Sequence, residues 1–255
     1  MPAPTNDCSY KSLGRGPLGE ALAVCISPRH TFGVDSFLLA SFSQAKRADL
    51  TADLGAGCGI LSVLLYKMYQ CHKIYGLELQ KEAVCQFQET VSASGLENVI
   101  FPVEGDLCQL PASLPRNAFG LVVCNPPYFR ENPSPDPSRA AARTEIACTL
   151  DSVCAAAERL LRFGGRFCLC QRPERLPDLF AAMRAHRLEP KRLRLAADTV
   201  SSTPWLALVE GRLGGRPGLR AEPLFFTRNP DGSSTQEMAL LYKESYICHK
   251  KARNL

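Results

Sequence analysis

The sequence predicts an α/β fold in which a doubly wound, mainly parallel sheet carries helices on both faces. From about residue 50 to residue 213, short apolar runs typical of strands alternate with amphipathic helical stripes. Alternation of this kind favours parallel strands joined by right-handed crossovers. A chain of 255 residues is long enough to build one such domain around a large core.

Each element follows from its own local pattern. The first core strand ends at residues 52–54, and apolar residues at helical spacing indicate a helix over 60–69. Gly95 stands where a helix should end, as do Gly164 and Gly165. The other predicted strands are 74–79, 99–103, 119–124, 166–170, 191–195 and 205–209, and the other predicted helices are 81–94, 151–162 and 178–187.

Composition excludes several classes of protein. The chain is 45% hydrophobic and 22% charged, which is ordinary for a globular protein. It has no run of about 20 apolar residues that could span a membrane, and its N-terminus lacks the layout of a signal peptide. The 12 cysteines are scattered rather than spaced as zinc ligands. We therefore expect reduced thiols, no metal and a cytoplasmic location.

Positive charge is concentrated in one stretch. The net charge is +5, and residues 158–194 contain ten Lys and Arg against four Asp and Glu. Such a local excess suits contact with phosphate groups, although a solvated helix face is an equal alternative. Outside the alternating core, the proline-bearing residues 129–143 predict a loop, and 214–255 an irregular extension with a few short strands.

A glycine-rich loop, running from Asp53 to Gly59, follows the first core strand. Open α/β sheets bind ligands at the carboxyl ends of their strands, and glycines there let a ligand approach the backbone. The third glycine, Gly59, comes one residue too early for a dinucleotide-binding loop. An acid directly before the loop suits the cationic amino group of an amino-acid-bearing cofactor better than a pyrophosphate. Glu78 ends the next predicted strand, from which a carboxylate can bind both ribose hydroxyls of an adenosine cofactor.

The segment from Asn125 to Tyr128, which reads Asn-Pro-Pro-Tyr, is the most specific signal in the chain. An exocyclic amine conjugated to a ring or a carbonyl is a poor nucleophile because its lone pair is delocalised. The side-chain oxygen of Asn125 and the carbonyl of Pro126 can accept its hydrogens, and the prolines stiffen the backbone that directs this carbonyl. Both acceptors favour a transition state in which the nitrogen gains positive charge, and Tyr128 offers a face for stacking.

These motifs resemble those of a known family. The glycine loop resembles the first motif of class I S-adenosylmethionine (SAM)-dependent methyltransferases, and Asn-Pro-Pro-Tyr occurs in enzymes that methylate adenine or the side-chain amide of glutamine. Residues 33–40, 125–129, 142–145 and 210–219 resemble bacterial valine-tRNA adenine-37 N6-methyltransferases, and the similarity covers roughly residues 25–243. Val34 and Cys58 depart from the commonest form of that family.

The resemblance implies a Rossmann-like, seven-stranded sheet whose last strand is antiparallel. A single methyltransferase domain over 1–255 is expected, with an N-terminal extension (1–47) that contains a lid-like segment (33–40), a core (48–213) and a C-terminal extension (214–255). SAM would be the cofactor and S-adenosylhomocysteine (SAH) the product. The expected cofactor-binding residues are Asp53, Gly55, Ala56, Gly57, Gly59, Glu78, Leu79, Asp106, Leu107 and Asn125, with Glu104 as the alternative to Asp106.

The activity implied is methyl transfer to the N6 amine of an adenine in tRNA, with adenine 37 of a valine tRNA as the family's target. The alternatives are an amine in ribosomal RNA, a glutamine amide in a protein, or a non-catalytic RNA-binding module. Only about 50 residues precede the glycine loop, too few for the helical domain of the glutamine enzymes. We expect tRNA or another structured RNA as partner, no membrane, no obligate protein partner, and a monomer. The expected catalytic residues are Asn125, Pro126, Pro127 and Tyr128, and the expected RNA contacts are Phe129, Arg139 and Arg143.

Overall fold

The computed structural model describes residues 8–126 and 149–244. The strands are β1 (Ser9–Arg15), β2 (Ala21–Ile26), β3 (Thr51–Leu54), β4 (Ile74–Glu78), β5 (Ile100–Glu104), β6 (Phe119–Cys124), β7 (Leu161–Gln171), β8 (Leu188–Ala197), β9 (Leu206–Leu213), β10 (Arg220–Ala221) and β11 (Phe225–Phe226). The helices are α1 (Val34–Ser43), α2 (Ile60–Tyr69), α3 (Lys81–Ala93), α4 (Leu150–Leu160), α5 (Leu176–Ala185) and α6 (Gln236–Glu244).

Seven strands form the main sheet in the order β8-β9-β7-β6-β3-β4-β5. β9 runs antiparallel to β7 and β8, and the other neighbouring pairs are parallel. This arrangement confirms the predicted fold class, including the antiparallel last strand. The short strands β10 and β11 pair with β8 inside the extension for which short strands were predicted.

The core lies on both faces of this sheet. All six residues of β6 are buried, and from Leu121 to Cys124 they alternate between two apolar clusters. Leu121 and Val123 pack with α1, α2 and α3, while Val122 and Cys124 pack with α4 and α5. Because successive side chains of a strand point to opposite faces, a sheet covered on both sides needs such a continuous apolar run.

The predicted helix stop at Gly164 and Gly165 is wrong. α4 ends at Leu160, and β7 begins at Leu161 without an intervening loop. Both glycines lie inside β7, where its register with β6 shifts, and Gly164 has a φ of +75°. A strand irregularity that needs a positive φ uses glycine for the same reason as a helix end does, so the local sequence does not distinguish the two.

A hairpin of two strands and one helix add to the elements that the sequence predicts. β1 and β2 form an antiparallel hairpin inside the N-terminal extension, and α6 lies in the C-terminal one. The hairpin is fixed to α3 by side-chain hydrogen bonds. The hydroxyl of Thr90 accepts from the backbone N–H of Cys25 at 3.0 Å, and that of Ser94 accepts from the N–H of Ala23 at 3.1 Å.

None of the helices within residues 8–126 and 149–244 has both the length and the apolar character needed to cross a membrane. The ten cysteines of these ranges are free thiols, and seven of them are buried. In the same part of the chain, no three His, Cys, Asp or Glu side chains are grouped as metal ligands would be. The domain boundaries at 47 and 213 stay a prediction.

Gly59 is predicted to be a structural glycine, and its substitution should be costly for folding. It caps α2 with a φ of +83°, and a Cβ at this position would overlap the buried ring of Phe87 on α3. We expect Gly59→Ala to lower the free energy of unfolding by about 2–4 kcal/mol, of which ~1 comes from the positive φ and the rest from overpacking. Urea unfolding checks this.

Gly95→Ala is the matched control, because Gly95 also has a positive φ, +64°, but a Cβ there meets no atom within 4 Å. The control should lose only the ~1 kcal/mol of backbone strain. Equal losses in the two variants would contradict a role for Phe87 beneath the loop.

Candidate functional site

The carboxyl ends of β3 and β6 meet the N-terminal end of α1 at one edge of the sheet, around a cavity of about 150 Å³. This is the edge at which open α/β sheets bind their ligands. The wall combines the glycine loop, the first residue after β6 and a segment that precedes the core. The lining residues are Thr31, Phe32, Gly33, Asp35, Ser36, Asp53, Gly55, Ala56, Gly57, Cys58, Ile60, Leu61 and Asn125.

The glycine loop turns its backbone toward this cavity. Gly55 and Gly57 have φ values of +71° and +54°, and the space that a Cβ would take at either position contains no atom within 4 Å. The N–H groups of Gly55 and Ala56 donate to the carbonyl of Leu77 at 2.9 and 3.0 Å, which holds the loop on the end of β4. A ligand can therefore approach the backbone of a rigid loop without meeting side chains.

Asp53 lies at the base of the cavity and is only 1% exposed. Its Oδ2 accepts a hydrogen bond from the hydroxyl of Ser62 at 2.8 Å. Burial raises the pKa of Asp53 to about 7; the charge of Glu78 also raises it, while the hydrogen bonds from Ser62 lower it. A buried carboxylate is stabilised by an opposite charge, so this position favours a cationic ligand group.

Glu78 connects β4 to the glycine loop. Its Oε2 accepts from the backbone N–H of Gly57 at 2.9 Å, and its Oε1 accepts from the N–H of Gln80 at 2.8 Å. The two bonds fix the plane of the carboxylate, and each oxygen keeps a second lone pair for a ligand hydroxyl. Glu78 is 8% exposed, whereas the neighbouring Leu79 is 44% exposed.

Asp106 follows β5 and has a local structural task. Its Oδ1 accepts from the backbone N–H of Cys108 at 2.8 Å and so caps a single 3₁₀ turn, Leu107–Gln109. Glu104, the alternative to Asp106, ends β5 with an exposed side chain.

The structure brings part of the predicted cofactor set into one wall. Asp53, Gly55, Ala56, Gly57 and Asn125 line the cavity. The other predicted residues lie outside its lining: Gly59, Glu78, Leu79, Asp106 and Leu107.

Asn125 is held at both ends of its side-chain amide. Its Nδ2 donates to the hydroxyl of Ser36 at 3.2 Å, and its Oδ1 accepts from the thiol of Cys170, with an Sγ–Oδ1 distance of 2.9 Å. The next residue, Pro126, is buried. Pro127, Tyr128, Phe129, Arg139 and Arg143 lie outside the described residues.

The segment around the start of α1 contributes cavity residues that the sequence did not single out. Thr31, Phe32, Asp35 and Ser36 line the cavity together with Gly33. The available signal was the pattern at residues 33–40, which predicts a lid-like segment near the cofactor but does not show which side chains face it.

The basic stretch 158–194 is largely neutralised by ion pairs. Several of the acidic partners, including Asp49, Glu210, Glu222 and Glu237, come from outside the stretch, so its local charge excess does not leave a free cationic surface of the same size. The paired arginines are Arg162, Arg166, Arg175, Arg184, Arg187, Arg192 and Arg194.

A family model described as the methyltransferase small domain matches residues 32–177, which include α1, the glycine loop and Asn125. This match covers more than half of the chain. The chain belongs to the methyltransferase small domain family. A tRNA1(Val) (adenine(37)-N6)-methyltransferase of Shewanella halifaxensis is 30% identical over 184 residues, 71% of this chain and 72% of that protein. A protein of the same name from Tolumonas auensis is 29% identical over 225 residues, 84% and 89% of the two chains.

Solved structures show the same fold. A predicted O-methyltransferase from Agrobacterium tumefaciens has a TM-score of 0.69 at 21% identity, covering 83% of this chain and 96% of that one. A geranyl diphosphate C-methyltransferase from Streptomyces coelicolor, solved with SAH, has a TM-score of 0.52 at 12% identity, covering 69% and 77%. The resemblance found in the sequence is confirmed by these relatives, and the protein is a SAM-dependent methyltransferase.

The cavity fits the polar end of SAM. Asp53 is a buried carboxyl with a raised pKa, and a cation beside it would favour its charged form. The glycine backbone next to it is open to the cavity. The carboxylate of Glu78, fixed by two backbone N–H groups, lies next to the same loop.

Proposed function

We propose that this methyltransferase transfers a methyl group from SAM to the N6 amine of an adenine in tRNA, at adenine 37 of a valine tRNA. The observation that carries the proposal is that Asn125, directly after β6, shares one cavity wall with Asp53 and the glycine loop. The names of the relatives from Shewanella halifaxensis and Tolumonas auensis support the choice of tRNA and of this adenine. Such an enzyme would work in the cytoplasm, where tRNA is modified.

The cofactor would be held by residues of three strand ends. Asp53 would pair with the amino group of its methionine part, and Glu78 would accept hydrogen bonds from its ribose hydroxyls. Asp106 would accept one from its adenine amine, with the apolar side chains of Leu79 and Leu107 against the adenine ring. The backbone from Gly55 to Gly57 would approach the cofactor closely. Bound in this way, SAM supplies an electrophilic methyl group.

Asn125 and Pro126 would act on the substrate amine. Its lone pair is delocalised into the ring, and two acceptors around the NH2 group hold its hydrogens so that the lone pair can turn out of the ring plane. The side-chain oxygen of Asn125 and the backbone carbonyl of Pro126 are these acceptors, and both gain strength as the nitrogen becomes positive. No strong base is required, because the amine proton becomes acidic as the nitrogen is methylated.

The remaining predicted site residues would serve the RNA substrate. Pro127 would stiffen the segment, Tyr128 would stack on the adenine, and Phe129, Arg139 and Arg143 would contact the surrounding RNA. An adenine in a stacked anticodon loop has to turn out of the stack to reach such a cavity. We propose a monomer that acts on tRNA without a protein partner.

The test is nucleoside mass spectrometry on valine tRNA incubated with the protein and SAM. We expect N6-methyladenosine in a transcript with adenine at position 37, and none when guanine replaces it. The Asn125→Ala variant, which should give little product, controls for contaminating activity. Product in the guanine-37 transcript would overturn the position. If total tRNA from a strain lacking the enzyme gains no methylated nucleoside, the tRNA proposal fails, and ribosomal RNA and then protein glutamine become the substrates to assay.

A further inference from the structure

The side-chain amide of Asn125 is clamped between two elements that are distant from it in sequence. Ser36 on α1 accepts from Nδ2 at 3.2 Å, and the thiol of Cys170 at the end of β7 donates to Oδ1 at 2.9 Å. Both partners are buried, with exposures of 2% and 0%. We infer that Ser36 and Cys170 are positioning residues for the reaction, which fix the amide so that its oxygen can receive the substrate amine. This inference rests on the proposed function.

The bond with Cys170 favours one orientation of the amide, whereas the hydroxyl of Ser36 can pair with either end of it. An asparagine side chain has an acceptor end and a donor end of nearly the same shape, and only the oxygen can accept a hydrogen from the amine. A half-turn of the amide would direct its NH2 group at the sulfur of Cys170, which is a weak acceptor. It would also present N–H groups to a substrate that itself carries N–H groups.

The clamp leaves the oxygen available for chemistry. A carbonyl oxygen has two lone pairs, and the thiol of Cys170 uses one of them. Since Asn125 lines the cavity, the other lone pair can serve the substrate. Because the two partners are buried, the bonds that hold the amide are shielded from bulk water on the protein side.

Ser36 is itself fixed to the sheet through α1. The guanidinium of Arg166 on β7 donates to the carbonyl of Ser43 at 2.6 Å, and that of Arg192 on β8 donates to the carbonyl of Phe42 at 3.1 Å. Both carbonyls belong to the last turn of α1, where cations also interact favourably with the helix dipole. The helix that carries Ser36 is thus anchored to the strand that carries Cys170.

Accurate placement of the amide matters for rate. Two acceptors have to converge on one NH2 group, and a displacement of about 1 Å can cost as much as ~100-fold in rate. Losing one bond of the clamp should therefore lower kcat rather than weaken cofactor binding. Substitution of a residue that only fills the core would change stability, and it would not lower kcat selectively relative to KM for SAM.

The first test compares Ser36→Ala and Cys170→Val with Cys170→Ser, which keeps a hydrogen-bond donor. We expect kcat for tRNA methylation to fall about 3- to 10-fold in Ser36→Ala and Cys170→Val, with KM for SAM changed less than about twofold. Cys170→Ser should retain most of kcat. Cys154→Val is the matched control, because Cys154 is fully buried on the opposite face of the sheet. Unchanged kcat in the first two variants, or an equal fall in the control, would overturn the inference.

A second measurement does not require methylation of any substrate. The side-chain NH2 signals of Asn125 can be assigned by NMR from their loss in Asn125→Ala, using the protein saturated with SAH. Hydrogen exchange at this NH2 group should be at least about threefold faster in Ser36→Ala than in the wild type. If the wild type methylates no RNA while this difference is found, the proposed substrate is wrong and the clamp stands. Equal exchange in both proteins would refute the clamp, even in an active enzyme.

Discussion

Replacing Asn125 by alanine should slow methyl transfer about 100- to 1000-fold, as the loss of one preorganised polar group at a reacting centre does in other enzymes. The substitution removes the acceptor that gains strength as the amine nitrogen becomes positive, so the loss falls on the transition state. Cofactor contacts through Asp53 and the glycine loop are unchanged. We therefore expect kcat to fall at saturating SAM, which single-turnover experiments measure. The affinity for SAH, measured by calorimetry, should change only a few-fold.

Asn98→Ala is a suitable control, because Asn98 is exposed in the turn before β5. It should methylate tRNA at the wild-type rate. Full activity in Asn125→Ala would show that the amine is not polarised by this side chain. A parallel loss of kcat and SAH affinity would instead indicate that Asn125 acts mainly by shaping the cofactor cavity.

The parts of the fold that local sequence determines were predicted closely. α2 spans Ile60–Tyr69 and β6 spans Phe119–Cys124, both with the predicted bounds. In α2 the apolar residues recur at helical spacing after a glycine that ends the loop. In β6 a continuous apolar run is bounded by polar residues and prolines, so neither end is ambiguous.

What the sequence could not show are pairings between distant residues. The hairpin of β1 and β2 is held by the hydroxyls of Thr90 and Ser94, more than 60 positions away, and nothing in the local sequence of the hairpin indicates those partners. The bond between Ser36 and Asn125 spans 89 positions. The motif containing Asn125 predicts its chemistry, while the residues that hold its amide depend on where α1 and β7 pack.

The charge of residues 158–194 illustrates the same limit. Counting residues leaves a phosphate-binding surface and a solvated helix face as equal alternatives. In the structure, Arg192 pairs with Glu210 at 2.7 Å, and Arg166 lies between Asp49 and Glu210 at 3.5 Å from each. These acids lie far away in the sequence and next to the arginines in the sheet. The local charge count therefore reflects composition alone. Which cations remain available to bind a phosphate depends on the fold.

Replacing Asp53 by asparagine should weaken SAM binding by at least about 30-fold, because truncating one partner of a buried charge pair costs ~2–5 kcal/mol. Asparagine keeps the shape and a hydrogen-bond partner for Ser62, but it has no charge to offset that of the cofactor's amino group. Isothermal titration calorimetry at about pH 7.5 measures the loss, and Asp178→Asn, at an exposed position of α5, is a control of the same chemical change.

Without cofactor, the same substitution should act in the opposite direction on stability. The pKa of Asp53 is raised by burial to about 7 from 3.8. Its contribution to stability is thus fully present below the unfolded pKa and lost as the pH rises through about 7. Asparagine resembles the protonated acid at every pH. The cofactor-free variant should therefore unfold at a higher urea concentration than the wild type at about pH 8, and at a similar one near pH 4. A variant that is less stable at high pH would show that the ionised carboxylate is needed for folding.

The raised pKa also couples cofactor binding to a proton. The ammonium group of SAM favours the ionised form of Asp53, so binding at a pH below about 7 has to release the proton that this carboxyl carries in the free protein. SAM affinity should then rise with pH up to about 7, approaching tenfold per unit at the acidic end. At about pH 6.5, calorimetry in buffers of different ionisation enthalpy should detect proton release from the wild type and none from Asp53→Asn. If affinity is independent of pH and no proton is released, the cation of the cofactor does not lie against Asp53, because a buried acid that pairs with a cation cannot keep its proton.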